Sequence, residues 1–395
     1  MLPVINHRAV NWVDGMKISK RHFQAFEDFT TDVLRDTTAS LTPAYAYGLL
    51  PTGAHAPKSF GVFISLEPLR QIHLRVTHCR AITANGSRVE VVDAEQLHLV
   101  VSQEEFFSQH SLSPTREQVM YAGLSVNPFA HVPVGEPAID EMPPRHPFTQ
   151  PEYRLWLLPQ EQINTQSIAA SAIVLGKIHY ANGELRVDSR FLPPCAAVNA
   201  HPILLEWFQT FRQLLGELEI FGLRILQKIR VKSQPNSLSD SVKWVVETLV
   251  LGLAQDMMAF RWMMPHQPPI CFATFLLNQV QNLRTAVFCL SSKDKEELLT
   301  YFGEWVDLTA VAIETKISSL LNQPYNHLDL STLLTEVEDF YRLFVGLFNK
   351  LSQLEFIGRR KGQNVFVIEN PVAEPNKAPP PPQDQPVKKP WSPIA

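Results

Sequence analysis

The chain has 395 residues, of which 45% are hydrophobic and 19% charged, and its formal net charge is −4. That length accommodates two or three domains with packed cores. The charge is small and Lys and Arg are scattered, which argues against a nucleic-acid partner, because phosphate neutralisation needs clustered cations.

The first ten residues, "MLPVINHRAV", hold no continuous apolar run of the kind a signal peptide needs. "NWVDGMKISKRHFQAFEDF", residues 11–29, carries Trp12, Met16, His22, Phe23 and Phe26. That is too much apolar material for a loose terminus, so the segment is expected to pack on its own domain, a sister subunit or a partner. Phe23, Phe26, Phe29 and Val33 recur at helical steps and predict a helix over 20–38. Residues 1–40 form this first unit.

Residues 41–198 have a different texture. "GVFISL", "QIHLRVTHCRAIT", "SRVEVVD" and "SAIVLGKIHY" are short runs rich in β-branched residues. Asn85-Gly86 and Asn182-Gly183 sit between such runs and mark hairpins, since both residue types tolerate positive φ. The spacing predicts a β-sandwich or an open barrel, of which the antiparallel sandwich is the expected form. Residues 134–152 are Pro-rich and polar and are expected to project from it as a loop.

After "FLPPC", residues 191–195, the periodicity turns helical over 199–353. Leu204, Phe208, Phe211, Leu215, Leu218, Ile225 and Ile229 follow at steps of three and four, with Gly222 in one seat. So narrow a seam tilts the reading toward self-association through Leu204, Phe208, Phe211, Leu215 and Leu218. Further helices are expected at 238–264, 270–290, 294–321 and 330–353. The most apolar stretch, 244–264, is interrupted by Glu247, Gln255, Asp256 and Arg261. It reads as a buried helix rather than a bilayer span. Residues 354–370 are expected to form a short hairpin, and the nine prolines of 371–395 a flexible polyproline tail. The fold class is therefore α+β, segregated: an N-terminal antiparallel β-sandwich, an α-helical bundle, then a Pro-rich tail.

Chemistry-bearing motifs are missing from the sequence. There is no G-x-S-x-G, phosphate loop, H-E-x-x-H or G-x-G-x-x-G. Cys79, Cys195, Cys271 and Cys289 are far apart and read as buried free thiols. His327 and Asp329 in "YNHLDL" read as a turn held by local hydrogen bonds. No catalytic, cofactor or metal site and no small-molecule substrate is expected. By elimination the chain is expected to be an assembly component.

Three passages together resemble the TssK family. In the first, Trp12, Asp14, Gly15, Met16, His22, Phe23 and Gln24 match a tryptophan, an acidic-Gly-Met turn and an H-F-Q triplet. Lys20-Arg21 departs from the Pro-Gln that is common there. In the second, Phe191, Pro193, Pro194, Cys195 and Pro202 match a F-I-P-P-C element before a stalk helix. In the third, Tyr325, His327, Asp329 and Leu330 match.

The resemblance implies a cytoplasmic baseplate subunit of a bacterial type VI (contractile injection) secretion system, docked at the inner membrane. It implies a homotrimer with a phage-like β shoulder, a helical neck and a C-terminal head. The shoulder would bind the TssF–TssG wedge, with Trp12, Gly15, Met16, His22 and Phe23 near that contact. The C-terminal region would reach a membrane-complex component. Only some forty residues follow the last expected helix, so a form without the full head is expected. A phage-type receptor-binding or tail adaptor, and an enzyme with a cryptic site in the β domain, are the alternatives.

Overall fold

The computed structural model describes residues 2, 4–53, 58–67, 70–92, 97–113, 116–163, 170–182, 184–231 and 236–358. Helix α1, Lys20–Leu41, precedes two antiparallel sheets. The first is organised on β3, Gln71–Ile82. On one side β3 pairs with β2, Phe60–Leu66, and with the short β1, Gly48–Leu49. On the other side it pairs with β5, His98–Ser102, and then with β4, Arg88–Val91. A bulge at Gly61/Val62 shifts the pairing register. The inward side chains of β3 shift parity at the same level, from Ile72, Leu74 and Val76 to Cys79 and Ala81. The second sheet runs in the order β7, Phe148–Pro159; β6, Gln118–Val134; β8, Ala172–Ala181; β9, Glu184–Val187. Gly176 of β8 lets the sheets meet closely, since a Cβ there would stand 2.3 Å from Cδ1 of Ile64. Two short helices, α2, Gln103–Gln109, and α3, Gln160–Ile163, lie in connections between strands.

The Asn85-Gly86 hairpin is present: the Thr83 amide donates to the Ser87 carbonyl and Gly86 takes φ +82°. At the second hairpin Asn182 takes φ 54°, and Gly183 lies outside the described residues. The projecting segment differs from expectation. Strands β6 and β7 run on into it, pairing Val134 with Phe148, so only its tip is loop. The offset between Asn127/Glu152 and His131/Pro151 re-aims this arm away from the sheet.

The helical region comprises α4, Pro202–Val231; α5, Ser237–Trp262; α6, Pro269–Phe288; α7, Ser292–Val306; α8, Ala310–Leu321; and α9, Ser331–Gln353. The expected helix 294–321 is two helices. Asp307 adopts a left-handed φ of 56° and ends α7, and Thr309 caps α8 by accepting from the Ala312 amide. Ser291 caps α7 as its sequence suggests.

The strand-rich part and the helical part are thus segregated, in an α+β fold. The hairpin expected at 354–370 lies almost wholly outside the described residues, and the Pro-rich tail wholly so.

The β part and the bundle meet at a joint made by the second and third passages. Leu49 donates to the Pro194 carbonyl (2.8 Å), and Ala196 donates back to Leu49 (2.8 Å). His327 is buried there. Its Nε2–H donates to the Tyr47 carbonyl (2.9 Å), and its Nδ1 accepts from the Tyr325 hydroxyl (2.8 Å). Asp329 binds Lys177 of β8 at 2.6 Å. His327 and Asp329 are therefore parts of a structural joint, with bonds that reach across it as well as local ones.

Candidate functional site

Helix α1 is anchored by polar bonds, and its one buried residue is Asp32. The Asp32 carboxylate accepts from the backbone N–H of Asn6 (2.7 Å) and His7 (2.9 Å) and from Arg35 (2.6 Å). The His7 ring lies 3.1 Å away. Burial opposes the carboxylate's charge, but the His7 and Asn6 bonds and the Arg35 guanidinium outweigh it. The carboxyl is held below its ordinary range. This cluster straps the N-terminal segment onto α1.

On the sheet side, Gly86 abuts α1: a Cβ there would stand 2.2 Å from the Arg35 carbonyl oxygen. Asp28 pairs with His131 at 3.2 Å, and the Arg35 guanidinium lies over the Phe129 ring.

The other face of this unit is apolar and open. Trp12 is 49% exposed and Phe23 57%, with Val13, Ile18, Phe26 and Leu34 also exposed. The five residues expected at a partner contact thus divide by role. Trp12 and Phe23 are on the open face. Gly15, at φ +77°, forms the turn closed by the Met16 amide on Val13, and Met16 itself is half-buried. His22 starts the helix, since its Nδ1 accepts from the Ser19 amide at 3.1 Å.

Between α1 and the strands lie two clefts of about 350 and 420 Å³ that share Arg35 and Pro128. The larger is lined by Thr31, Ser87, Arg88 and His131 among others. The Ser87 hydroxyl and the Arg35 Nε are buried without a hydrogen-bond partner among the described residues.

The seam residues lie elsewhere. Leu204, Phe208, Phe211, Leu215 and Leu218 are all buried inside the chain. Phe208 stands 5.0 Å from the Phe260 ring, and Phe211 stands 5.6 Å from both Phe272 and Tyr341. The self-association reading of these five is corrected: their a/d spacing records the packing of α4 on its own bundle. The buried reading of 244–264 holds for one face only, that of Val246, Leu249, Leu253 and Phe260. Trp244, Leu251, Met258 and Trp262 form an exposed stripe on α5. Their seven- and four-residue spacing was visible in the sequence, but overall hydropathy concealed which face it marked. The thiols also divide, with Cys79 and Cys195 buried, Cys271 half-buried and Cys289 exposed.

Among the described residues no group of three His, Cys, Asp or Glu side chains is placed to hold a metal. No helix among them is long and apolar enough to cross a membrane.

No protein-family model and no curated protein matches the chain. Among solved structures the fold is similar to a TssK crystal structure, with 14% identity and a TM-score of 0.47, over 85% of this chain and 68% of that one. It is similar to a chain of a type VI secretion system TssK-TssF-TssG baseplate subcomplex, with 16% identity and a TM-score of 0.47, over 88% and 100% of the two chains. It is also similar to a chain of a type VI secretion baseplate complex, with 15% identity and a TM-score of 0.49, over 87% and 99%.

Proposed function

We propose that this chain is a non-enzymatic baseplate component of a type VI secretion system, an adaptor that binds a TssF–TssG wedge through α1 and residues 11–29. The observation that carries the reading is the anchoring of α1. The helix buries one residue, a carboxylate, and turns Phe23, Phe26 and Leu34 to solvent beside Trp12. An apolar face held rigid by a buried ionic strap is pre-organised for docking, because little entropy remains to be lost on binding.

The three sequence passages support the assignment to this machinery, and two of them serve the joint. That leaves residues 11–29 as the passage whose apolar side chains are free to meet another protein. The adaptor works on the cytoplasmic side, with its C-terminal region directed to a membrane-side component. The resemblance implies a homotrimer, and since the α4 seam is spent internally, trimer contacts fall on other surfaces.

The test is co-expression with cognate TssF and TssG and capture of the complex. The wild-type chain should co-elute with the wedge. Trp12→Glu combined with Phe23→Asp should abolish co-elution without shifting the thermal melt, since both side chains are exposed. A wild-type chain that ignores the wedge would sink the proposal.

A further inference from the structure

The outer face of the first sheet brings together two histidines that stand 25 residues apart in the chain. On β3, Ile72, Leu74 and Val76 point inward and are buried, which leaves His73 on the opposite face. His98 opens β5 and enters the sheet opposite Arg75, one step further along that same face. The two rings are therefore diagonal neighbours on adjacent strands. Nε2 of His98 lies 3.4 Å from Nδ1 of His73, and the ring centroids are 5.5 Å apart. The other nitrogen of His73, Nε2, is buried and makes no hydrogen bond among the described residues. A carboxylate oxygen of Glu67 stands 3.4 Å from it.

We infer that His73 and His98 chelate a borderline divalent cation, zinc in the first place, through Nδ1 and Nε2, with water completing the tetrahedron. The argument is geometric. The 3.4 Å between the two nitrogens is long for a hydrogen bond. It suits chelation: two zinc–nitrogen bonds of about 2.0–2.1 Å that close on this span meet at about 110°, near the tetrahedral angle. Glu67 stands where a ligating histidine needs its carboxylate. With the Nε2 proton turned toward Glu67, Nδ1 is left bare on the side of His98, and the carboxylate offsets the charge of the cation. A pair of imidazoles selects zinc or copper over magnesium and calcium, which prefer oxygen.

The sheet holds the donors in place before a cation arrives. β3 is paired on both sides, with β2 and with β5, so binding orders little beyond two side chains. Arg75 is the cation nearest to His98 in the register; it is exposed, and its long side chain reaches into solvent. His98 is exposed as well and bonds no group but His73 among the described residues. With two protein donors rather than three, the bound cation is exchangeable, and its remaining positions are open to water.

This site goes beyond the wedge-binding reading and does not depend on it. Calorimetric titration of zinc chloride into the tag-free full-length chain is expected to show one equivalent bound ahead of any weaker sites. His98→Ala should abolish that equivalent, and its melt in EDTA should match that of the wild type, because the side chain is exposed. Glu67→Gln keeps both ring nitrogens and should weaken zinc binding roughly tenfold. Loaded instead with one equivalent of copper(II), the wild type should show two nitrogen donors by electron paramagnetic resonance, and His98→Ala should lose that signature. A chain that binds no zinc overturns the inference. So does an equivalent that persists in both His73→Ala and His98→Ala, since the cation then sits on other histidines. Co-elution with the wedge would be unaffected by any of these outcomes.

Discussion

Gly48 sits against the carbonyl of Pro194: a Cβ added to Gly48 would stand 2.1 Å from that oxygen, and the residue's φ is +114°. Two independent constraints, a left-handed backbone and a contact with main chain, coincide where the β part is joined to the bundle. The neighbouring amide of Leu49 bonds the same carbonyl, so the obstructing atom cannot withdraw without breaking the joint. Gly48→Ala is expected to cost about 3 kcal/mol or more. Denaturant unfolding should show the loss, and a Gly48→Ala protein as stable as wild type would refute the tight-joint account.

Across the same joint, His327 is neutral by construction. Burial lowers its pKa from 6.5 to about 4, and the bond to the Tyr47 carbonyl only partly offsets this. His201, 7% exposed and with its Nδ1 facing the Ile203 amide, is likewise lowered to about 4 by burial. Both folded-state values lie below that of the unfolded chain. The unfolded state therefore takes up protons first as pH falls, and stability is lost between about pH 6.5 and 4. Each histidine contributes on the order of 3 kcal/mol to that slope. Melts at pH 7 and 4.5 should show the drop. His327→Gln, which can still donate to Tyr47 and accept from Tyr325, should flatten roughly half of it. An unchanged slope in that variant would mean that His327 is charged in the fold.

The joint also shows what the sequence could and could not convey. Hairpin glycines, helix caps and the switch from strand to helix periodicity are local, and they appear where Asn85-Gly86, Ser291 and Pro202 mark them. The destination of an apolar face is not local. Phe211 and Leu251 both sit at heptad spacing, yet Phe211 is fully buried and Leu251 exposed, because α4 has α9 and α6 against its stripe while α5 turns its own outward. The break at Asp307 has no such local mark, because "EWVDLTAV" is apolar on both sides of a residue that only a left-handed φ makes a terminus. At α1, the aromatic spacing marks the helix, which runs Lys20–Leu41. That the helix would be held by Asp32 rather than by its phenylalanines has no signature in periodicity.

Asp32→Ala tests that anchoring. The substitution removes the acceptor for the Asn6 and His7 amides and leaves Arg35 without its carboxylate. The N-terminal segment should detach from α1, with amide exchange accelerating at residues 4–13 and limited proteolysis cutting there first. The carboxyl is held below its ordinary range, so its contribution is complete above about pH 4 and fades as pH falls further. Neutral-pH wild type and Asp32→Ala should thus differ by about 2–3 kcal/mol, a difference that shrinks in acid. Equal exchange rates in the two proteins at neutral pH would show that other contacts hold the segment.

Within the bundle, Gln279 is 3% exposed on α6, and its amide Nε2 has no hydrogen-bond partner among the described residues. Its Oε1 accepts one long bond from Asn282, at 3.4 Å. Beside it is a cavity of about 30 Å³ walled by Leu218, Leu253, Phe340, Phe344 and Phe348. A buried amide donor with no acceptor costs about 1–3 kcal/mol, whereas an apolar side chain of the same length costs nothing of that kind. Gln279→Met preserves volume and flexibility next to Gly252, where space is limited. It should stabilise the chain by about 1 kcal/mol, seen as a rise of roughly 2 °C in melting temperature. A fall instead would mean that the cavity holds an ordered water bonded to the amide, and that the polar side chain belongs to the native packing.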